Sequence, residues 1–245
     1  MKKLKTIVVI LIWMTLAGCS IHESKPKENL ETVKEADELA KKMLEAIHFE
    51  AWNKTNVVQW SFRDRHHYIW DKKRNYVQVL WDENDVRLDL DSLNNFLVYV
   101  NHQIEKDKAK AGTLKNKAWE YFCNDSFWLN APAKVFDNGT TRTIVEEKGE
   151  KCLLVSYASG GATPGDSYLW FLDKNYLPYK YKMWVSIIPI GGTEATWAKW
   201  KELETGALVA TEHEMAVFKI LIKNLKTADE VTDLGAGEKL FAGID

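Results

Sequence analysis

The chain has 245 residues, 46% of them hydrophobic and 28% charged, which supports a full apolar core and excludes a disordered protein. Lysine and arginine number 33 against 35 aspartate and glutamate, a net charge of −2. That balance disfavours nucleic acid, which needs a basic surface, and gives no basic patch for anionic lipid.

Lys2, Lys3 and Lys5 make a positive start, and residues 7–16 are almost wholly apolar. The run is too short to span a bilayer, which takes about 20 apolar residues. It fits the apolar region of an export signal with small residues at its cleavage point. Leu16, Ala17, Gly18 and Cys19 then follow. Together they resemble the bacterial lipobox, in which the cysteine thiol is lipidated, the bond before it is cut and the new amino terminus is acylated. Residues 1–18 are therefore expected to be a lipoprotein signal peptide and Cys19 a lipid anchor. Their removal leaves 227 residues with 30 basic against 35 acidic side chains, a net charge of −5. Two or more acyl chains anchor stably, so the expected membrane attachment is the lipid on Cys19 rather than a helix. The lipobox implies a bacterial cell envelope. Ser20 at the next position resembles the signal for an outer-membrane destination, facing the periplasm.

Residues 19–31 are polar, without periodicity, and read as a flexible tether; its dozen residues reach roughly 40 Å when extended. The domain is expected over 32–245. Residues 31–49 place Ala36, Leu39, Ala40, Met43, Leu44 and Ile47 at spacings of three and four, which predicts an amphipathic helix. Strands are predicted over 57–63, 66–71, 76–81, 86–90 and 96–100, at about ten-residue spacing with polar turns between them. In the first, Val58, Trp60 and Phe62 share one face. Residues 105–123 return to helical composition, and 124–132 read as an aromatic loop. Strands resume over 143–147, 151–157, 166–173, 177–188, 196–203, 209–214 and 217–222. Residues 166–188 form the clearest hairpin, with Tyr179, Tyr181 and Met183 on one face and Lys180, Lys182 and Trp184 on the other. No linker or fixed-period repeat divides the chain. The fold class expected is α+β: a single large curved antiparallel sheet, an incomplete β-barrel, covered by two to three helices.

Catalytic and metal motifs are missing. The glycine-rich run 159–165 lacks the Lys-Ser/Thr of a P-loop and reads as a strand connection. His66 and His67 are adjacent on a strand and point to opposite faces. No paired Cys-x-x-Cys, His-Glu-x-x-His or Gly-x-Ser-x-Gly occurs. No enzyme activity and no cofactor are expected. With Cys19 lipidated, Cys123 and Cys152 remain, either as a disulfide or as two unpaired buried thiols. Eleven tryptophans stand out. They either fill the core of a large sheet or line a cavity with rings.

Three stretches carry a resemblance. One is the helix from Ala36 through Met43 and Leu44 running into Val58, Gln59, Trp60, Ser61 and Phe62. Another holds Asn124, Asp125, Phe127, Trp128 and Pro132 with Lys134, Asp137, Asn138 and Gly139. The last is Tyr168, Leu169, Trp170, Phe171 and Asp173 before Leu177 and Pro178. Over most of residues 30–225 the chain resembles the bacterial lipoprotein-carrier superfamily of the LolA/LolB type. The resemblance implies a curved half-barrel lidded by helices, with an apolar cavity for acyl chains. The anchor at Cys19 is like that of the outer-membrane acceptor in the superfamily. Two functions are expected from these features. The first is an anchored binder of a lipid or other apolar ligand, with Trp60, Trp70, Trp170, Tyr181 and Trp184 as candidate walls. The alternative is an anchored interaction or scaffolding module with a filled core and an unknown protein partner.

Overall fold

The structure, a computed structural model, describes residues 23–159, 165–186, 190–216 and 218–244. The signal segment, Cys19 and part of the glycine-rich run lie outside the described residues.

Asn29 opens the helical region: its side chain accepts from the Glu31 amide at 3.0 Å and caps a 3-10 turn, Leu30–Thr32. Helix α1, Val33–Ala46, buries Ala36, Ala40 and Met43, the stripe expected from their spacing. His48, in the left-handed region at φ 55°, turns the chain into a short α2, Phe49–Lys54. Five strands then meander: β1 Val57–Phe62, β2 His66–Asp71, β3 Tyr76–Trp81, β4 Asn84–Asp89 and β5 Phe96–Val100, with a two-residue β6, Gln103–Ile104. Helix α3, Lys108–Asn130, crosses back over them. Strands β7 Thr140–Glu147, β8 Glu150–Tyr157, β9 Ser167–Leu172, β10 Pro178–Trp184, β11 Thr193–Thr196, β12 Ala198–Glu202, β13 Leu208–Met215 and β14 Phe218–Ala228 follow.

All pairings are antiparallel. Nine strands form one sheet in the order β12-β13-β14-β1-β2-β3-β4-β5-β6, and five form another, β11-β10-β9-β8-β7. The expected single sheet is therefore two, and their junction explains the difference. Strands β11 and β12 are one stretch of chain interrupted at Trp197, whose amide still donates to the Tyr179 carbonyl, opposite it in the register of β10, at 2.8 Å. On one side of that break the stretch pairs with β10, on the other with β13. Across it, Glu214 N donates to Thr196 Oγ1 at 2.8 Å. The sheets thus follow one another around a curve that leaves β6 and β7 as free edges, an open barrel.

Register decides what faces inward. Trp60 pairs with Tyr68, Val58 with Trp70, and Tyr68 with Val79, so Val58, Trp60, Tyr68, Trp70, Val77 and Val79 line one concave face. In the second sheet Leu153 and Tyr181 flank Trp170, and Val155 and Met183 flank Tyr168. Helix α1 packs over β7 and β8, and α3 over β4, β5 and β13. The main core cluster unites these faces with both helices. Two smaller cores lie on the outer faces. Val231, Leu240, Phe241 and Ile244 of the C-terminal segment cover Val57, Ile69, Tyr76 and Leu97. Cys152, Leu154, Leu169 and Phe171 form the other with Val145 and Trp184.

The aromatic stretch expected as a loop over 124–132 is helical as far as Asn130. Nothing in it breaks a helix before Pro132, where the chain tightens into a 3-10 turn, Ala131–Lys134. No helix among the described residues is long and apolar enough to cross a membrane.

Candidate functional site

The concave face carries two nests of rings, joined by α3. In the first, Trp60 stacks on Tyr68 with centroids 4.4 Å apart and meets Trp70 edge-on at 6.4 Å. Phe122 of α3 closes on Trp70 at 5.2 Å, and Trp52 of α2 on its other side at 6.3 Å. In the second, Trp170 meets Tyr181 at 5.0 Å and Trp197 at 5.1 Å. Trp128, six residues along α3 from Phe122, reaches Tyr181 at 5.7 Å and His213 at 5.2 Å. These edge-on and offset geometries suit the ring quadrupoles.

What distinguishes these nests from an ordinary core is their polar atoms. Trp60 Nε1, Trp70 Nε1, Trp170 Nε1, Trp197 Nε1 and the Tyr181 hydroxyl are buried with no partner among the described residues. Both side-chain polar atoms of Asn130, where α3 ends, are in the same state. A buried donor left unpaired costs about 1–3 kcal/mol, and native interiors carry few of them. Burial pushes the Tyr181 phenol far above its ordinary range, with Tyr168 and Tyr157 adding to the effect. It therefore stays a neutral donor. The interior offers an apolar wall studded with N–H and O–H groups that lack acceptors.

Helix α3 is the cover, and its two halves differ. From Lys108 to Trp119 it buries only Ala111 and Ala118, whereas from Phe122 to Asn130 it buries Phe122, Asp125, Ser126, Trp128, Leu129 and Asn130. The first half rests on the sheet through these two methyl groups and the partly buried Leu114 and Trp119. The second half is bolted down by Asp125. Its Oδ2 accepts from the Tyr68 hydroxyl at 2.6 Å and lies 2.7 Å from His66 Nδ1, while Asn124 Nδ2 donates to Oδ1 at 2.7 Å. An ionised carboxylate only accepts, so the His66 nitrogen facing it carries hydrogen. Desolvation, then the Asp125 charge, pushes the Tyr68 phenol well above its ordinary range, which keeps it a donor. The His66 ring stacks on Tyr121 at 3.9 Å and borders a cleft of about 880 Å³. Arg65, Trp81, Glu83 and His102 also line that cleft. Among the described residues no group of three His, Cys, Asp or Glu side chains is placed to hold a metal ion.

Of the five expected wall residues, Trp60, Trp70, Trp170 and Tyr181 lie in the concave nests, the first two in one and the last two in the other. Trp184 does not join them. It sits on the opposite face of β10 from Tyr181, where its Nε1 donates to the Glu23 carbonyl at 2.7 Å. Strand alternation already separated these two residues. Cys19 lies outside the described residues. Cys123, on α3, and Cys152, on the outer face of β8, are free thiols, and burial pushes both up to about 12. Trp197, His213, Asn130 and Asp125 were not anticipated. Asp125 could have been found: read as helix, Ala118, Phe122, Asp125 and Leu129 fall on one stripe, and a carboxylate there needs buried donors.

No family model matches the sequence, and no curated protein matches it. Among solved structures, the crystal structure of a DUF1329 family protein from Desulfovibrio piger is similar, with a TM-score of 0.44 and 12% sequence identity. The similarity covers 86% of this chain and 97% of that one. The half-barrel described above rests on the strand pairing of this chain itself.

Proposed function

We propose that this protein is a lipid-anchored envelope protein that binds an amphipathic lipid against the concave face of its half-barrel. The observation that supports this reading is the set of unpartnered donors on Trp60, Trp70, Trp170, Trp197 and Tyr181, all buried among apolar rings. Acyl chains would lie against the rings, and burying each methylene is worth about 0.8 kcal/mol. Ester carbonyls or a carboxylate would supply the acceptors that the donors lack. Access is through the first half of α3, which buries fewer side chains than the second. The anchor expected at Cys19 keeps the binding face beside its source of lipid.

The test removes a donor without changing shape. Tyr181→Phe deletes one unpartnered polar atom. A lost hydrogen bond is worth about 0.5–1.5 kcal/mol, so lipid retained through purification falls roughly two- to tenfold in the variant. The lipid-free protein is as stable as the parent or more so. Unchanged lipid content, with ordered water found beside the Tyr181 hydroxyl in a crystal structure, contradicts the reading and favours the filled-core module.

A further inference from the structure

The C-terminal ends of β1, β3, β5, β8, β10 and β13 all lie at one rim of the open barrel, because every neighbouring pair of strands is antiparallel. The N-terminal segment is fastened at this rim. Glu23 binds Lys182 Nζ through both carboxylate oxygens, at 2.8 and 2.9 Å, and its carbonyl accepts from Trp184. Gly191 and Gly192, in the turn between β10 and β11, press so closely on Glu23 that a Cβ on either would meet it under 3 Å away. Further along, Lys25 donates to Ser156 at 3.2 Å and the Asn29 amide to Thr143 Oγ1 at 3.0 Å. Lys182 is only 4% exposed. Burial works against its charge, but Glu147 and Glu23 outweigh that and hold its pKa above the ordinary lysine value. The segment read from sequence as a tether thus has its last residues laid along the outer face of the second sheet.

Glu23 lies four positions after Cys19, a reach of at most about 14 Å when extended. Exposed hydrocarbon side chains gather on the same rim: Ile190 beside the Glu23 dock, Phe218 at the start of β14, and Phe136 before β7. Leu30 lies in the docked segment and Ile104 on the edge strand β6. Near the opposite rim the exposed rings are Tyr176 and Tyr179, whose hydroxyls are engaged by Lys42 and Glu150. We infer that this rim, with Ile190 exposed beside the Glu23 dock, lies against the lipid surface, held there by the docked segment. The inference rests on lipidation of Cys19. The domain then meets the bilayer in one orientation, with Ile190, Phe218 and Phe136 at the headgroups and Asn175 at the far end of β9 and β10.

Lipidated full-length protein in phosphatidylcholine–phosphatidylglycerol vesicles tests this, with acyl mass on Cys19 verified by mass spectrometry. A fluorophore is placed at Ile190→Cys or at Asn175→Cys on a Cys123→Ala, Cys152→Ala background. Headgroup-labelled quencher lipid is expected to quench position 190 several-fold more than position 175. The double variant Glu23→Gln, Trp184→Phe, which loosens the segment at Glu23 while Lys25 and Asn29 still hold it, narrows the difference between the two positions. Equal quenching in the parent, or stronger quenching at 175, overturns the oriented rim while leaving the anchor standing. Missing acyl mass on Cys19 overturns the anchored reading and this inference together.

Discussion

At the scale of single residues, buried polar groups decide most of what is specific here. Asp125 satisfies Tyr68, His66 and Asn124 at once. Asp125→Ala strands the buried Tyr68 hydroxyl and is expected to cost about 2–4 kcal/mol in denaturant unfolding. Adding Tyr68→Phe removes the stranded group and restores part of that loss. A double variant no more stable than Asp125→Ala contradicts the assigned bond. His213 makes the matching case for pH. It is fully buried, its Nδ1 lies 3.1 Å from the Thr196 carbonyl, and burial holds its pKa down at about 4. Below about 6.5 the unfolded chain takes up a proton that the folded chain refuses until about 4. Stability therefore falls as pH drops through that window, by roughly 3 kcal/mol in total, and is regained above it. In His213→Gln the difference in unfolding midpoint between neutral and acid pH shrinks. The same acid loss in variant and parent refutes the assignment.

At the scale of elements, the strands were legible because alternation survives in the residues themselves. β1, β2, β3 and β5 fall within a residue of their expected bounds, and Trp60, Tyr68 and Trp70 share the face that period two gives them. Helix α3 was half legible. Its second half is rich in Asn, Asp, Ser and aromatics, a composition that imitates a loop, and burial of Phe122, Trp128 and Leu129 with the inward Asp125 and its three partners holds the helix there. Its first half buries fewer side chains, and Gly112 sits in it with nothing within 4 Å of where a Cβ would lie. Gly112→Ala should stabilise the protein by about 0.5–1 kcal/mol, read as a higher thermal midpoint. It should also slow lipid exchange, because the cover stiffens. A destabilised variant means that another element occupies that space.

At the scale of the molecule, curvature was legible as a class and its cause was not. The sheet turns at Trp197, where the chain passes from β10 as partner to β13, and no spacing in the sequence marks a strand that changes partners midway. The two outer coverings were equally hidden. Val231, Leu240, Phe241 and Ile244 share no period, and Glu23, Lys25 and Asn29 dock by polar contacts that leave no hydrophobic pattern. The candidate site was legible through its tryptophans. Its unpartnered donors became apparent only when burial and register placed Trp60, Trp70, Trp170 and Tyr181 under α3.

The central claim is that the concave face is completed by a lipid. Gentle purification from the cell envelope, organic extraction and mass spectrometry of non-covalent lipid measure it most directly, with the covalent acyl groups on Cys19 counted separately. Stoichiometric amphipathic lipid is expected, displaced by an apolar dye as the fluorescence of the interior tryptophans shifts. Protein that emerges free of non-covalent lipid, and whose tryptophan emission ignores added dye, would contradict it.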